Sequence, residues 1–96
     1  MSINKYLKVY ARKLRVTPAR CYEEVRVLVA GFLENAYEAS RIMPPDEYEE
    51  SYGGIAHLKH VEEVEHAHIV EVIRWVGPTA FYAVLRDYAV LQERVV

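Results

Sequence analysis

Residues 55–76 read Ile-Ala-His-Leu-Lys-His-Val-Glu-Glu-Val-Glu-His-Ala-His-Ile-Val-Glu-Val-Ile-Arg-Trp-Val, and this stretch decides both the fold class and the chemistry. Leu58, Val61, Ile69, Val72 and Val76 recur at helical spacing, with no alternation of the strand kind. The segment therefore predicts a long helix over 55–76. All four histidines of the chain, His57, His60, His66 and His68, lie inside it, interleaved with Glu62, Glu63 and Glu65. On a helix, residues three apart are neighbours, so Glu63 with His66 and Glu65 with His68 are both possible chelating pairs. Glu65 and His68 also fall inside the apolar stripe. A carboxylate there costs several kcal/mol unless it is paired or bound, which is a separate reason to expect a ligand or a second interface along this helix. The plain alternative is a solvated Glu- and His-rich face, since Glu-x-x-His is common by chance.

Outward from this segment, punctuation is clear on both sides. Gly77-Pro78 closes it, and a C-terminal helix over 78–95 follows, with Phe81, Leu85, Tyr88, Leu91 and Val95 on its apolar face. Upstream, residues 44–54 form an acidic connector between Pro44-Pro45 and Gly53-Gly54, with room for one helical turn after Asp46. Thr17-Pro18 is a helix start, the hydroxyl as cap and the proline in the first turn. A helix over 17–43 carries Cys21, Val25, Leu28, Val29, Phe32, Ala36 and Ala39 on one stripe. Residues 1–16 form a short amphipathic helix with Ile3, Tyr6, Leu7, Tyr10 and Leu14 on its apolar side. The expected fold is all-α: an antiparallel hairpin of two long helices with shorter N- and C-terminal helices. Such a hairpin is half of a four-helix bundle, which dimerisation would complete.

Composition agrees with a single folded domain. The chain has 96 residues, 52% of them apolar, and a net charge of −2. A chain of this length buries only about 60–65% of its unfolded surface, so self-association or a metal would help it. Cys21 stands alone, which excludes an internal disulfide and a thiolate zinc site. No signal-peptide stretch or membrane-length apolar run is visible, so a cytoplasmic location with no membrane is expected. Richness in Val, Arg, Glu and Tyr with a single Gln has a thermophilic cast. Residues 1–20 hold six bases and no acid, whereas residues 46–65 hold seven acids and only Lys59. The basic helix reads either as an arm for nucleic acid or an anionic surface, or as a helix docking on the acidic part of this or a neighbouring chain. The second is preferred, with no nucleic-acid partner.

Residues 62–67, Glu-Glu-Val-Glu-His-Ala, resemble the second-helix signature of rubrerythrin-like ferritins. Glu71-x-Ile73-Arg74, the proline at 78 and Leu85-Arg86-Asp87-Tyr88 make the chain similar to the encapsulated ferritins, short two-helix members of that superfamily. The resemblance covers roughly residues 55–90. It implies a homo-oligomer, a dimer or multiple of dimers, in which two chains complete a di-iron ferroxidase centre, housed in an encapsulin shell. Glu63 and His66 would be second-helix iron ligands, with Glu62 an accessory carboxylate. The first-helix ligand would be Glu34, which stands at the matching separation from Glu63; a different alignment puts Phe32 in that slot, leaving the centre incomplete. Glu65, His68 and His60 are weaker candidates. Carboxylate and imidazole donors suit Fe, with Mn or Zn as substitutes. Tyr37 is either a donor behind the ligands or an interface residue. His57 and His60 are either a metal access point or surface histidines, and Trp75 and Tyr88 read as packing anchors. The leading expectation is oxidation of Fe(II) to Fe(III) for iron storage or detoxification. Its rival is a non-catalytic helical scaffold that oligomerises or docks on a larger assembly.

Overall fold

The computed structural model describes residues 3–95, and every regular element among them is helical. They are α1 (Ile3–Leu14), α2 (Pro18–Ile42), α3 (Pro45–Tyr52), α4 (His66–Val76) and α5 (Pro78–Val95), with a 3-10 turn at Ala56–Leu58 between α3 and α4. The all-α expectation holds. Among the described residues, no helix is long and apolar enough to cross a membrane.

Most boundaries follow from local chemistry. Thr17 caps α2 by accepting the Arg20 amide at 3.2 Å, and Pro18 opens the first turn. At the other end the Met43 amide closes on the Ala39 carbonyl at 2.9 Å before Pro44 and Pro45 forbid continuation. The helix α1 ends differently. The Val16 amide reaches back to the Ala11 carbonyl at 3.1 Å and the Arg15 amide to Arg12 at 3.3 Å, the pairing of a Schellman cap. That cap puts Arg15 at φ 59, a left-handed position usually given to glycine. Between α4 and α5 the positive φ falls on a glycine, Gly77 at φ 101, whose amide closes α4 on the Ile73 carbonyl at 2.8 Å.

The helix α2 is the spine, packed against each of the other four. Its Cys21, Val25, Val29 and Ala36 are fully buried, and Ile69, Val72 and Ile73 of α4 and Phe81 and Leu85 of α5 meet them in one core. The stripe read from the sequence is right in outline. Leu28 and Phe32 are half-buried, while Leu33 and Glu24 join the buried set. Glu24 is 8% exposed; its Oε1 accepts from Arg20 Nε at 3.3 Å, and its Oε2 has no partner among the described residues.

Rings connect the helices. Tyr6 and Tyr10 of α1, Phe81 of α5, Phe32 of α2, Trp75 of α4, and Tyr52 and Tyr48 of α3 follow one another with centroid separations between 5.5 and 6.3 Å. The Tyr10 hydroxyl donates to the Pro78 carbonyl at 2.8 Å, fastening α1 to the start of α5. At the other end Gly54 lies against the indole, where an added methyl would sit 2.5 Å from Trp75 Cδ1.

Three expectations are corrected. The connector over 44–54 is largely the helix α3: Asp46 and Glu47 complement its N-terminal dipole and Tyr48 buries its inner face. The single helix over 55–76 is broken, since residues 59–65 are non-helical and α4 begins only at His66. A continuous helix would have turned Glu65 into the core; as the residue preceding α4, it stays exposed. The long-helix hairpin is therefore one 25-residue helix and one of 11 residues. Leu91, placed on the inner face of the last helix, is 58% exposed, and the Val95 side chain lies outside the described residues.

Burial pushes the Tyr10 phenol from 10.0 to about 12 and the Cys21 thiol from 9.0 to about 11. The folded chain keeps both protons where the unfolded chain has released them. The stability they contribute is complete below pH 9 and is lost as pH rises between 9 and 12. Urea unfolding midpoints should be flat near pH 8 and fall steeply above pH 9. Tyr10→Phe and Cys21→Ala should each reduce that slope, whatever they do to the plateau.

Candidate functional site

The Glu- and His-bearing segment 59–65 lies along α2 beside its buried stripe, with Val61 and Val64 packed on the core, and forms two neighbouring clefts with that helix. The first, about 310 Å³, is lined by Glu34 and Tyr37 of α2 and by Lys59 and Glu62. The second, about 450 Å³, is lined by Tyr22 and Arg26 of α2 and by Glu63, Glu65 and His66. Val64 contributes to both.

This arrangement separates residues that the sequence grouped. Glu34 shares a cleft with Glu62, whereas Glu63 and His66 share the other. Glu63 stands in the irregular segment and His66 is the first residue of α4, so they are not successive positions on one helical face. All four side chains are exposed. His66 meets the ring of Tyr22 edge-on at 5.3 Å. Phe32, the alternative at the first-helix ligand position, packs against Trp75 and Phe81.

The weaker candidates have local roles. His68 Nδ1 accepts the Glu65 amide at 3.1 Å, which satisfies a donor at the start of α4 and leaves the ring proton on Nε2. His60 lies edge-on to Tyr37 at 5.3 Å. His57 Nε2 is 3.0 Å from Glu71 Oε1. Among the described residues, no three His, Cys, Asp or Glu side chains converge closely enough to hold a metal ion.

Each cleft also has its own cation, neither of which is among the residues expected at the site. Lys59 lines the Glu34 and Glu62 cleft, and Arg26 the Glu63 and Glu65 cleft. A nearby cation offsets carboxylate charge without a metal. The row on α2 is legible in the sequence: Tyr22, Arg26, Ala30, Glu34 and Tyr37 follow at i, i+4 or i+3 spacing beside its apolar stripe. Chemically, two open, hydrated clefts of mixed charge are suited to recognition by ion pairs and hydrogen bonds. Within one chain they do not form a di-iron centre.

Compared with protein-family models, curated proteins and solved structures, the chain matches none.

The break in the helix has a direct test. Glu62, Glu63 and Val64 make no backbone hydrogen bond as donors among the described residues, whereas Ile69 donates to Glu65 at 3.1 Å and α4 continues from there. Amide hydrogen exchange by NMR should find residues 62–64 almost unprotected and residues 70–76 protected by orders of magnitude. Uniform protection from 59 to 76 would restore the single long helix.

Proposed function

We propose that this chain is a non-catalytic helical interaction module that self-associates, with the basic flank of α1 on one copy meeting the acidic α3 of another. The supporting observation is the placement of its charge. Lys8 and Arg12 of α1 and Arg15 just beyond its end are exposed, and among the described residues no carboxylate lies within 4.0 Å of them. Asp46, Glu47, Glu49 and Glu50 are exposed on α3 with no cation within the same distance. Within the chain, α1 packs chiefly on α2, α4 and α5, and α3 packs on α2. The two complementary faces are thus left for contacts with other copies. Ile42, 81% exposed beside α3, supplies an apolar anchor for such a contact.

A two-fold arrangement makes the contact twice, and a head-to-tail one makes a ring or a filament. Single exposed ion pairs contribute only about 0–1 kcal/mol, but several of one sign facing several of the other select a partner and speed encounter. Association should therefore weaken between 50 mM and 500 mM salt, as screening shortens the reach of the charges. In sedimentation velocity at low salt, Lys8→Glu with Arg12→Glu should yield monomers, and so should Glu47→Lys with Glu50→Lys. Mixing the two double variants should restore association. A wild type that stays monomeric at low salt and high concentration overturns the proposal.

A second reading keeps the resemblance to the encapsulated ferritins: Fe(II) oxidised to Fe(III) at a centre shared between copies, in an assembly able to sit inside an encapsulin shell. It is favoured by the adjacency of the two clefts, which puts Glu34, Glu62, Glu63 and His66 on one accessible side of the chain. Because these donors do not converge within one chain, this reading requires a second copy to complete the site. Its check is the rise of ferric absorbance after Fe(II) is mixed with the protein in air. On this reading Glu63→Ala and His66→Ala slow the rise at least about tenfold; traces equal to wild type exclude it.

A further inference from the structure

An adjoining row on α1 carries a different feature. Lys5, Val9 and Lys13, spaced i, i+4 and i+8, line a cleft of about 320 Å³ between α1 and the first turns of α5. We infer that this cleft binds a small planar aromatic anion, of the aryl carboxylate kind.

Three observations carry the inference. The first is a preformed aromatic surface. Tyr10 forms the floor, its ring centre 6.3 Å from Tyr6 and 5.7 Å from Tyr82, with the planes inclined by only 25° and 26°. Tyr10 is held by its 2.8 Å hydrogen bond to the Pro78 carbonyl, so α1 and α5 keep the cleft open without a ligand. Tyr6 and Tyr82 are only half-buried and present ring surface to it. A planar aromatic group can stack there, as aromatic pairs do at centroid separations of about 4.5–7 Å.

The second is charge. Among the described residues no carboxylate lines the cleft, and the two ionised groups there, Lys5 and Lys13, are about 12 Å apart along the helix. Neither has a carboxylate within 4.0 Å among the described residues. An anionic group on the ligand would satisfy one ammonium, and a cationic ligand would be repelled by both. Lys13 Nζ already lies 5.0 Å from the Tyr82 ring centre, close enough to pair with a carboxylate on a ligand stacked there.

The third is size. The cleft matches the lower end of small-molecule pockets, which run from about 300 to 1,000 Å³. Val9, 44% exposed, provides the apolar edge that desolvates one side of the ring. The self-association face uses Lys8, Arg12 and Arg15, none of which lines the cleft, so the two properties can be tested separately.

The test is titration of the full chain with 2-naphthoate, followed through the tyrosine ring signals by NMR. Saturable shifts of the Tyr6 and Tyr82 rings are expected, with a Kd below about 1 mM. Neutral 2-naphthylmethanol and non-aromatic cyclohexanecarboxylate should each bind at least about tenfold more weakly. Lys13→Ala and Tyr82→Ala should lose about tenfold in affinity, while Tyr82→Phe and Lys8→Ala retain it. The inference is overturned if naphthoate gives no saturable shift, or if the neutral alcohol binds as well. Displacement of naphthoate by a thymidine oligonucleotide of higher affinity would also overturn it, assigning the cleft to single-stranded nucleic acid instead.

Discussion

Stacked and edge-on rings running from Tyr6 to Tyr48 are the constraint on which the other contacts depend. A chain of 96 residues cannot surround a large aliphatic core. Here the aromatic side chains bridge every helix of the fold. Tyr10 and Phe81 join α1 to α5, Phe32 and Trp75 join α2 to α4, and Tyr52 joins Trp75 to α3. Each ring buries a large area with few torsions to fix. Gly54 exists within this arrangement because the indole of Trp75 occupies the space where its side chain would be. The short helix α3, too brief to be stable alone, is held against the body by Tyr48 and Tyr52.

Several features were legible in the sequence because local chemistry determines them. Thr17-Pro18, Pro44-Pro45 and Gly77-Pro78 each act through a hydroxyl acceptor, a missing amide or a permitted left-handed backbone, and none of these needs a distant partner. The break before α4 was harder to see. Val61 and Val64 still pack against the core from the irregular segment, so apolar spacing persists where the helix does not. The warning sign was Glu65 inside an apolar stripe. That conflict can be relieved by binding a cation or by ending the helix, and periodicity alone does not distinguish the two. The structure takes the second route, with His68 receiving the freed amide.

The grouping of candidate ligands depends on that same choice. On one continuous helix, Glu63 and His66 would share a face and Glu34 could approach both. With residues 59–65 irregular, Glu62 instead reaches the cleft of Glu34, and Arg26 and Lys59 stand among the acids. Tyr22, Arg26 and Ala30 of α2, none of them a candidate in the sequence, therefore line the clefts with Glu34 and Tyr37. Spacing shows the row on α2 but not which of its members meet Glu62 and which Glu63, because that depends on the path of a segment without a fixed period.

The position of Trp75 has an optical consequence. It is the only tryptophan in the chain, and its indole lies between Phe32 and Tyr52, with ring centres at 6.2 and 5.9 Å. Its emission colour and quenching are therefore governed by whether α3 is seated on the body. Undocking of that acidic helix would wet the indole while α1, α2 and α5 stayed in place, so the chain carries its own fluorescent gauge of one local motion, with no label attached.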